Sequence, residues 1–171
     1  MKRVAQFEKV SYEQFREGLL DCIQPSLVES VIKQIYDSIK LPKRATKGSA
    51  GYDFYTPVTI TLLPGKTVKI PTGVRVKMDE NWVLKLYPRS GLGFKFRLQL
   101  NNTVGIIDSD YYYSDNEGQI FFKITNDSNE NKIVDIPAGQ AFAQGIFVEY
   151  GITYDDDADG VRNGGFGSTG K

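Results

Sequence analysis

The sequence predicts an all-β domain, a sandwich or barrel, with a short helical extension in front of it. Three observations carry that reading. From residue 58 onward apolar residues alternate with polar ones, as Val58, Ile60 and Leu62 do among threonines. Turn signals such as Pro64-Gly65 and Pro71-Thr72-Gly73 interrupt the alternation at short intervals. Of 17 glycines only Gly18 precedes residue 41, so the first 40 residues follow a different plan.

The elements follow in order. Ser11-Tyr12-Glu13-Gln14 reads as a capping box, with Phe15, Leu19, Leu20 and Ile23 on one helical face behind it. Ser26 and Glu29 make a second box, and Val28, Val31, Ile32, Ile35 and Ile39 keep helical spacing after it. Leu41-Pro42 stops the pattern, because the residue before a proline avoids helical backbone. Residues 1–40 therefore read as a helical N-terminal extension of two short helices. Residues 41–153 form the β-domain, with strands expected at 58–62, 68–70, 74–78, 83–87, 97–100, 119–125, 132–136 and 141–149. Residues 154–171 form an arm that starts with Asp155, Asp156, Asp157 and Asp159 and turns glycine-rich.

Composition removes whole classes of chemistry. The chain has 171 residues, no histidine and one cysteine, Cys22. Histidine-based triads, histidine-ligated metals, thiolate zinc sites and an internal disulfide framework are all excluded. A reducing, intracellular and cytoplasmic setting is expected. Lys+Arg and Asp+Glu both number 21, and a neutral chain is not expected to coat nucleic acid. No apolar run is long enough to span a membrane, and no leader pattern opens the sequence.

Five polar, glycine-bearing segments interrupt the strands. Arg89-Ser90-Gly91 offers a planar cation, a hydroxyl and an open backbone N–H, the donors an anionic oxygen cluster requires. Taken alone, it reads equally as a surface turn. Asp108 follows two β-branched residues and reads as a carboxylate at the mouth of a buried strand, either a general base or a turn former. Tyr111 offers an aromatic face to a base or sugar, or fills the core. The run Gly165–Lys171 matches G-x-x-x-x-G-K, but no strand pattern leads into it and no Ser or Thr follows Lys171, so a P-loop is set aside. Phe166 in this arm reads instead as a ring that stacks on a ligand.

Together and in this order, the segments resemble the trimeric dUTPase family. They are Ser49-Ala50-Gly51-Tyr52-Asp53, Pro88–Lys95 with its Arg89-Ser90-Gly91-Leu92, Gly105-Ile106-Ile107-Asp108-Ser109-Asp110-Tyr111, Gly139–Gln144, and Gly164–Gly170. The resemblance implies a jelly-roll-like β-barrel. It implies hydrolysis of dUTP to dUMP and pyrophosphate, Mg²⁺ as cofactor, and a homotrimer with active sites between subunits. It implies that Asp108 activates the attacking water. Asn102, the backbone of Gly105, Ile106 and Ile107, and Phe121 would read uracil. Tyr111 would lie against the deoxyribose. Arg89, Ser90, Gly91 and Gln144 would hold the phosphates. Arg162, Phe166 and Gly167 would close over the nucleotide from the arm, and Asp53 would meet Mg²⁺ through water.

Some positions depart from the family pattern. Residues 112–117 form an insertion, expected as an exposed hairpin tip, and Ala141 stands where many members have Arg. Arg162 lies four residues before Phe166 instead of five. Two other activities come with the resemblance, a dCTP deaminase of the same fold and a regulatory member that binds a protein through residues 1–40 or 112–117.

Overall fold

The structure, a computed structural model, describes residues 1–164. Strand β1 (Ala5–Lys9) is followed by helices α1 (Tyr12–Cys22) and α2 (Glu29–Ser38). The β-domain then runs β2 (Lys43–Arg44), β3 (Tyr52–Tyr55), β4 (Ile60–Leu62), β5 (Thr67–Pro71), β6 (Val74–Met78) and β7 (Trp82–Pro88). Helix α3 (Ser90–Phe96), β8 (Leu98–Leu100) and β9 (Gly105–Ile107) follow, then a 3₁₀ turn at Ser109–Tyr113. Strands β10 (Phe121–Asn126), β11 (Val134–Ile136) and β12 (Ala141–Glu149) complete the domain.

The strands form four antiparallel sheets around one core. The largest has the order β2-β3-β12-β7-β9 and faces the three-stranded β5-β10-β8 sheet. Alternation sends Phe54, Leu84, Leu86, Phe122, Ile124 and Phe142 inward, each 1% exposed or less. Phe122 joins the sheets, its ring 5.2 Å from Phe54 and 5.0 Å from Phe142, both edge-on. Among the described residues no helix is long and apolar enough to cross a membrane.

The extension is part of this core. Phe15, Leu19 and Ile32 are fully buried. Ser11 caps α1 as the capping box predicts, its Oγ accepting from the Gln14 N–H at 3.2 Å. Three features differ from expectation. The chain opens with a strand, β1, which pairs with β6 from Ala5↔Met78 to Lys9↔Val74. Phe7 is its only large apolar residue, so the alternation is weak, and the strand exists because β6 offers an edge. Helix α2 is capped by Val28 without a side-chain bond, not by Ser26. Its Glu29 instead takes hydrogen bonds from Tyr12 and Arg16 of α1.

The insertion is the third difference. It is no free hairpin tip: Ser114 is 5% exposed. Tyr112 donates to Glu8 at 2.8 Å, and Glu117 accepts both the Ser11 N–H at 2.7 Å and the Ser11 hydroxyl at 2.6 Å. Insertion and extension thus satisfy each other's polar groups. Ser11→Ala removes the cap and one partner of Glu117 together, and should cost about 1–2 kcal/mol in urea denaturation.

Candidate functional site

Three groups of side chains gather the residues singled out in the sequence. The first lies on the outer face of the large sheet. Gln144 of β12 stands opposite Asp53 of β3 and Tyr87 of β7. Arg89, at the N-terminus of α3, brings its Nε to 3.2 Å from Asp53. Gln144 donates to the Pro88 carbonyl at 3.2 Å, which ties the end of β7 to β12. Arg89, Ser90, Gln144, Tyr87 and Phe94 line an open cleft of ≈ 620 Å³. Gly91 is exposed beside it. The cleft combines a cation, a hydroxyl and an amide, a donor set suited to phosphate oxygens. Among the described residues no cluster of three or more carboxylate, thiol or imidazole groups forms a metal cage.

The second group lies on the opposite face. A cavity of ≈ 320 Å³ is lined by Asn102, Gly105, Phe121, Leu86, Lys69 and Lys123, among others. Leu86 lines this cavity and Tyr87 the other, and successive residues of a strand point to opposite faces. Gly105 makes the close approach possible, since a Cβ there would stand 2.9 Å from Leu86 Cβ. Ile107 is buried at 3% exposure while Ile106, one residue earlier, is 50% exposed on the outer face.

The third group begins where β9 ends. Asp108 caps the 3₁₀ turn, and its carboxylate accepts from Arg162 Nη2 at 2.6 Å. Arg162 Nε also donates to Asp110 at 2.8 Å, so one guanidinium spans two acids. Arg162 is 17% exposed at its side chain and Asp108 45%. The arm of this chain therefore reaches its own Asp108. Arg162, expected to close over the nucleotide from the arm, here rests on the carboxylate. Tyr111 is 3% exposed, and its hydroxyl donates to the Gln119 carbonyl at 2.6 Å. Burial raises its pKa above the ordinary tyrosine value, so it stays a neutral donor. Phe166 and Gly167 lie outside the described residues.

Sequence reasoning missed Asp110, Lys69 and Lys123. Asp110 sits inside the third segment and was legible as a carboxylate but not as the second partner of Arg162. The lysines carry no local signal, because alternation along β5 and β10 marks them only as solvent-facing.

An all-β fold thus carries a cleft lined by a cation, a hydroxyl and an amide, a cavity on the opposite face of the same sheet, and a carboxylate at a strand end. Comparison with known proteins sharpens the class. The dUTPase family model matches residues 37–170. The deoxyuridine 5'-triphosphate nucleotidohydrolase of Lactococcus lactis subsp. lactis is 39% identical over 145 residues, which cover 83% of this chain and 95% of that protein. The Hahella chejuensis enzyme of the same name is also 39% identical, over 86% of this chain and 97% of its own. The crystal structure of dUTPase from Streptococcus mutans matches with a TM-score of 0.63 at 32% identity, over 86% of this chain and 97% of that one. The chain belongs to the dUTPase family.

Proposed function

We propose that this protein hydrolyses dUTP to dUMP and pyrophosphate, with Asp108 drawing the proton from the water that attacks the α-phosphorus. As a member of its family the chain is a dUTP diphosphatase. The observation that carries the finer reading is the placement of Asp108 three residues beyond Gly105. One short strand, β9, thus joins the base cavity to the carboxylate. Asn102 and the backbone of Gly105–Ile107, with Phe121, hold uracil. Tyr111 walls the sugar side, where its fixed ring leaves no space for a 2′-hydroxyl.

In the reaction the water's proton passes to an Asp108 oxygen as the new P–O bond forms. The bond from the α-phosphorus to the bridging oxygen breaks, and the electron pair leaves with pyrophosphate. Arg89, Ser90, Gly91 and Gln144 hold that leaving group, because their donors stabilise charge where it develops. Arg162 must first leave Asp108, since an oxygen engaged by a guanidinium is a poor proton acceptor. The triphosphate offers Arg162 a stronger anion, so substrate binding itself frees the base. Phe166 and Gly167 of the arm then close over uracil.

Asp53 is held by Arg89 and belongs to no cluster of three or more acidic or thiol groups among the described residues, which suits contact with Mg²⁺ through the ion's waters better than a direct protein cage. An ion held there would neutralise phosphate charge. The homotrimer is what the family resemblance implies, and the two faces support a site shared between copies. The phosphate donors lie on the outer face of the large sheet, while the base cavity lies on its inner face. A nucleotide reaches both faces of one chain only around the β9 edge of the sheet, and a neighbouring copy that supplies half of each site removes that detour. The cytoplasm is the setting in which such an enzyme would meet the nucleotide pool.

With Mg²⁺ present, pyrophosphate release from dUTP should exceed that from dTTP, dCTP and UTP by about 10²-fold or more, measured across that panel. Comparable dCTP turnover, or release of ammonia, would establish the deaminase alternative instead. A regulatory protein contact through residues 1–40 or 112–117 has a competing explanation, because those segments are engaged with each other.

A further inference from the structure

Residues 1–36 lie outside the stretch that matches the family model, yet α1 packs behind one wall of the base cavity. Gly18 of α1 backs onto Phe121: a Cβ at Gly18 would stand 3.3 Å from Phe121 Cε1 and 3.2 Å from Pro71 Cβ. On another side of the same ring, Lys69 Nζ sits 4.6 Å from the Phe121 centroid. Both Lys69 and Phe121 line the cavity that holds Asn102 and Gly105. One turn after Gly18, Asp21 places a carboxylate oxygen 3.7 Å from Lys69 Nζ.

The local charge pattern explains why Lys69 requires that partner. Lys69 of β5 stands directly opposite Lys123 of β10. Like charges facing each other across two strands repel. Asp21 is the acid that pairs with Lys69 among the described residues, and none pairs with Lys123. Asp21 therefore offsets the repulsion and keeps the ammonium over the ring, where the face of the aromatic also attracts it.

We propose that Asp21 and Lys69 are positioning residues of the nucleotide cavity. Through them the N-terminal helix fixes the Phe121 wall and so sets the affinity for the pyrimidine. This rests on the reading of that cavity as the base pocket. The two residues neither line the cleft of Arg89 and Gln144 nor pair with Asp108, so their effect belongs in substrate binding and not in the chemical step.

The test is steady-state kinetics with dUTP on the full-length protein, with thermal unfolding measured in parallel. Lys69→Met keeps the stem and removes the charge; it should raise KM about two- to fivefold with kcat within about twofold. Asp21→Asn should raise KM by a smaller factor, about twofold, as expected for an exposed pair. Lys69→Arg should return KM to near the starting value, because a guanidinium also lies on an aromatic face. The exchange Asp21→Lys with Lys69→Asp should leave KM raised, since the aspartate cannot sit on the ring. Asn102→Ala serves as the check on the pocket itself and should raise KM by more than any of these. If Asn102→Ala raises KM while Lys69→Met does not, the positioning role is overturned and the pocket stands. Failure of both to change KM overturns the pocket reading and this proposal with it. A fall in kcat at unchanged KM for Lys69→Met overturns the assignment to binding.

Discussion

Asp108→Asn should reduce dUTP turnover by about 10²–10⁴-fold, the usual contribution of a positioned general base, with nucleotide affinity kept within a few-fold. Asparagine has nearly the same shape as aspartate and retains an acceptor oxygen, but it cannot take up the proton. The substitution is also structurally mild. Arg162 keeps its bond to Asp110 at 2.8 Å, so the guanidinium does not lose its whole partner set. Asp108 is part-exposed and buries no charge when neutralised. Binding of a non-hydrolysable dUTP analogue by calorimetry separates the two effects. A variant turning over within tenfold of the starting rate would remove Asp108 from the role of base.

The same variant tests the assembly. If Arg89 of one copy serves the base cavity of another, subunits carrying Asp108→Asn and subunits carrying Arg89→Ala should complement when co-assembled. Each homogeneous preparation is crippled, but in a mixed trimer some sites receive an intact Asp108 and an intact Arg89. Activity recovered after unfolding and refolding the two together, and not after simple mixing of folded stocks, is the expected result. No recovery would place both halves of the site within one chain. That outcome requires the nucleotide to reach around the β9 edge of the sheet, where Asp108 lies.

The degree to which sequence anticipated structure follows from the range of each interaction. Helix α1 was legible because its signals are local: Ser11 caps it, and Phe15 and Leu19 recur at one-turn spacing. Strand β1 was not, because only Phe7 marks an inward face, and the pairing that makes it a strand lies some 70 residues away on β6. Helix α3 was hidden for another reason. Its sequence, Ser90-Gly91-Leu92-Gly93-Phe94-Lys95-Phe96, carries two glycines, and glycine disfavours helix interiors by about 1 kcal/mol each. Its ends are closed by the backbone, the Leu92 and Gly93 N–H groups donating to the Arg89 carbonyl and the left-handed Arg97 donating its N–H to the Gly93 carbonyl. The site shows the same division. Asp53, Arg89, Asn102, Gly105, Asp108 and Gln144 stand out through the segments that together resemble the dUTPase family. That Arg162 returns across 54 residues to Asp108, and that Lys69 lines the cavity of Asn102 and Gly105, are facts of tertiary folding with no local trace.

Phe15→Ala should destabilise the protein by about 3–5 kcal/mol, the largest single-site effect expected on stability. Phe15 is 0% exposed although it belongs to the extension that the family match excludes. Its ring lies 5.9 Å from Tyr36 of α2, and it packs with Leu19, Ile32 and Ile39 on the same core as the β-domain. The ring packs closely on the turn at Gly73, where a Cβ would stand 2.9 Å from Phe15 Cδ2, so truncation leaves a cavity there. A domain of this size is stable by about 5–15 kcal/mol, so one such loss removes a large part of the margin, and deletion of residues 1–40 should abolish folding. Val28→Ala, at a position 61% exposed on the same extension, should change stability by no more than about 0.5 kcal/mol. Urea denaturation of the two variants side by side makes the comparison. Equal midpoints would mean that the extension is an appendage resting on a self-sufficient β-domain. A large shift for Phe15→Ala alone would mean that the first 40 residues are core, and that any partner they bind must do so on the outward faces of α1 and α2.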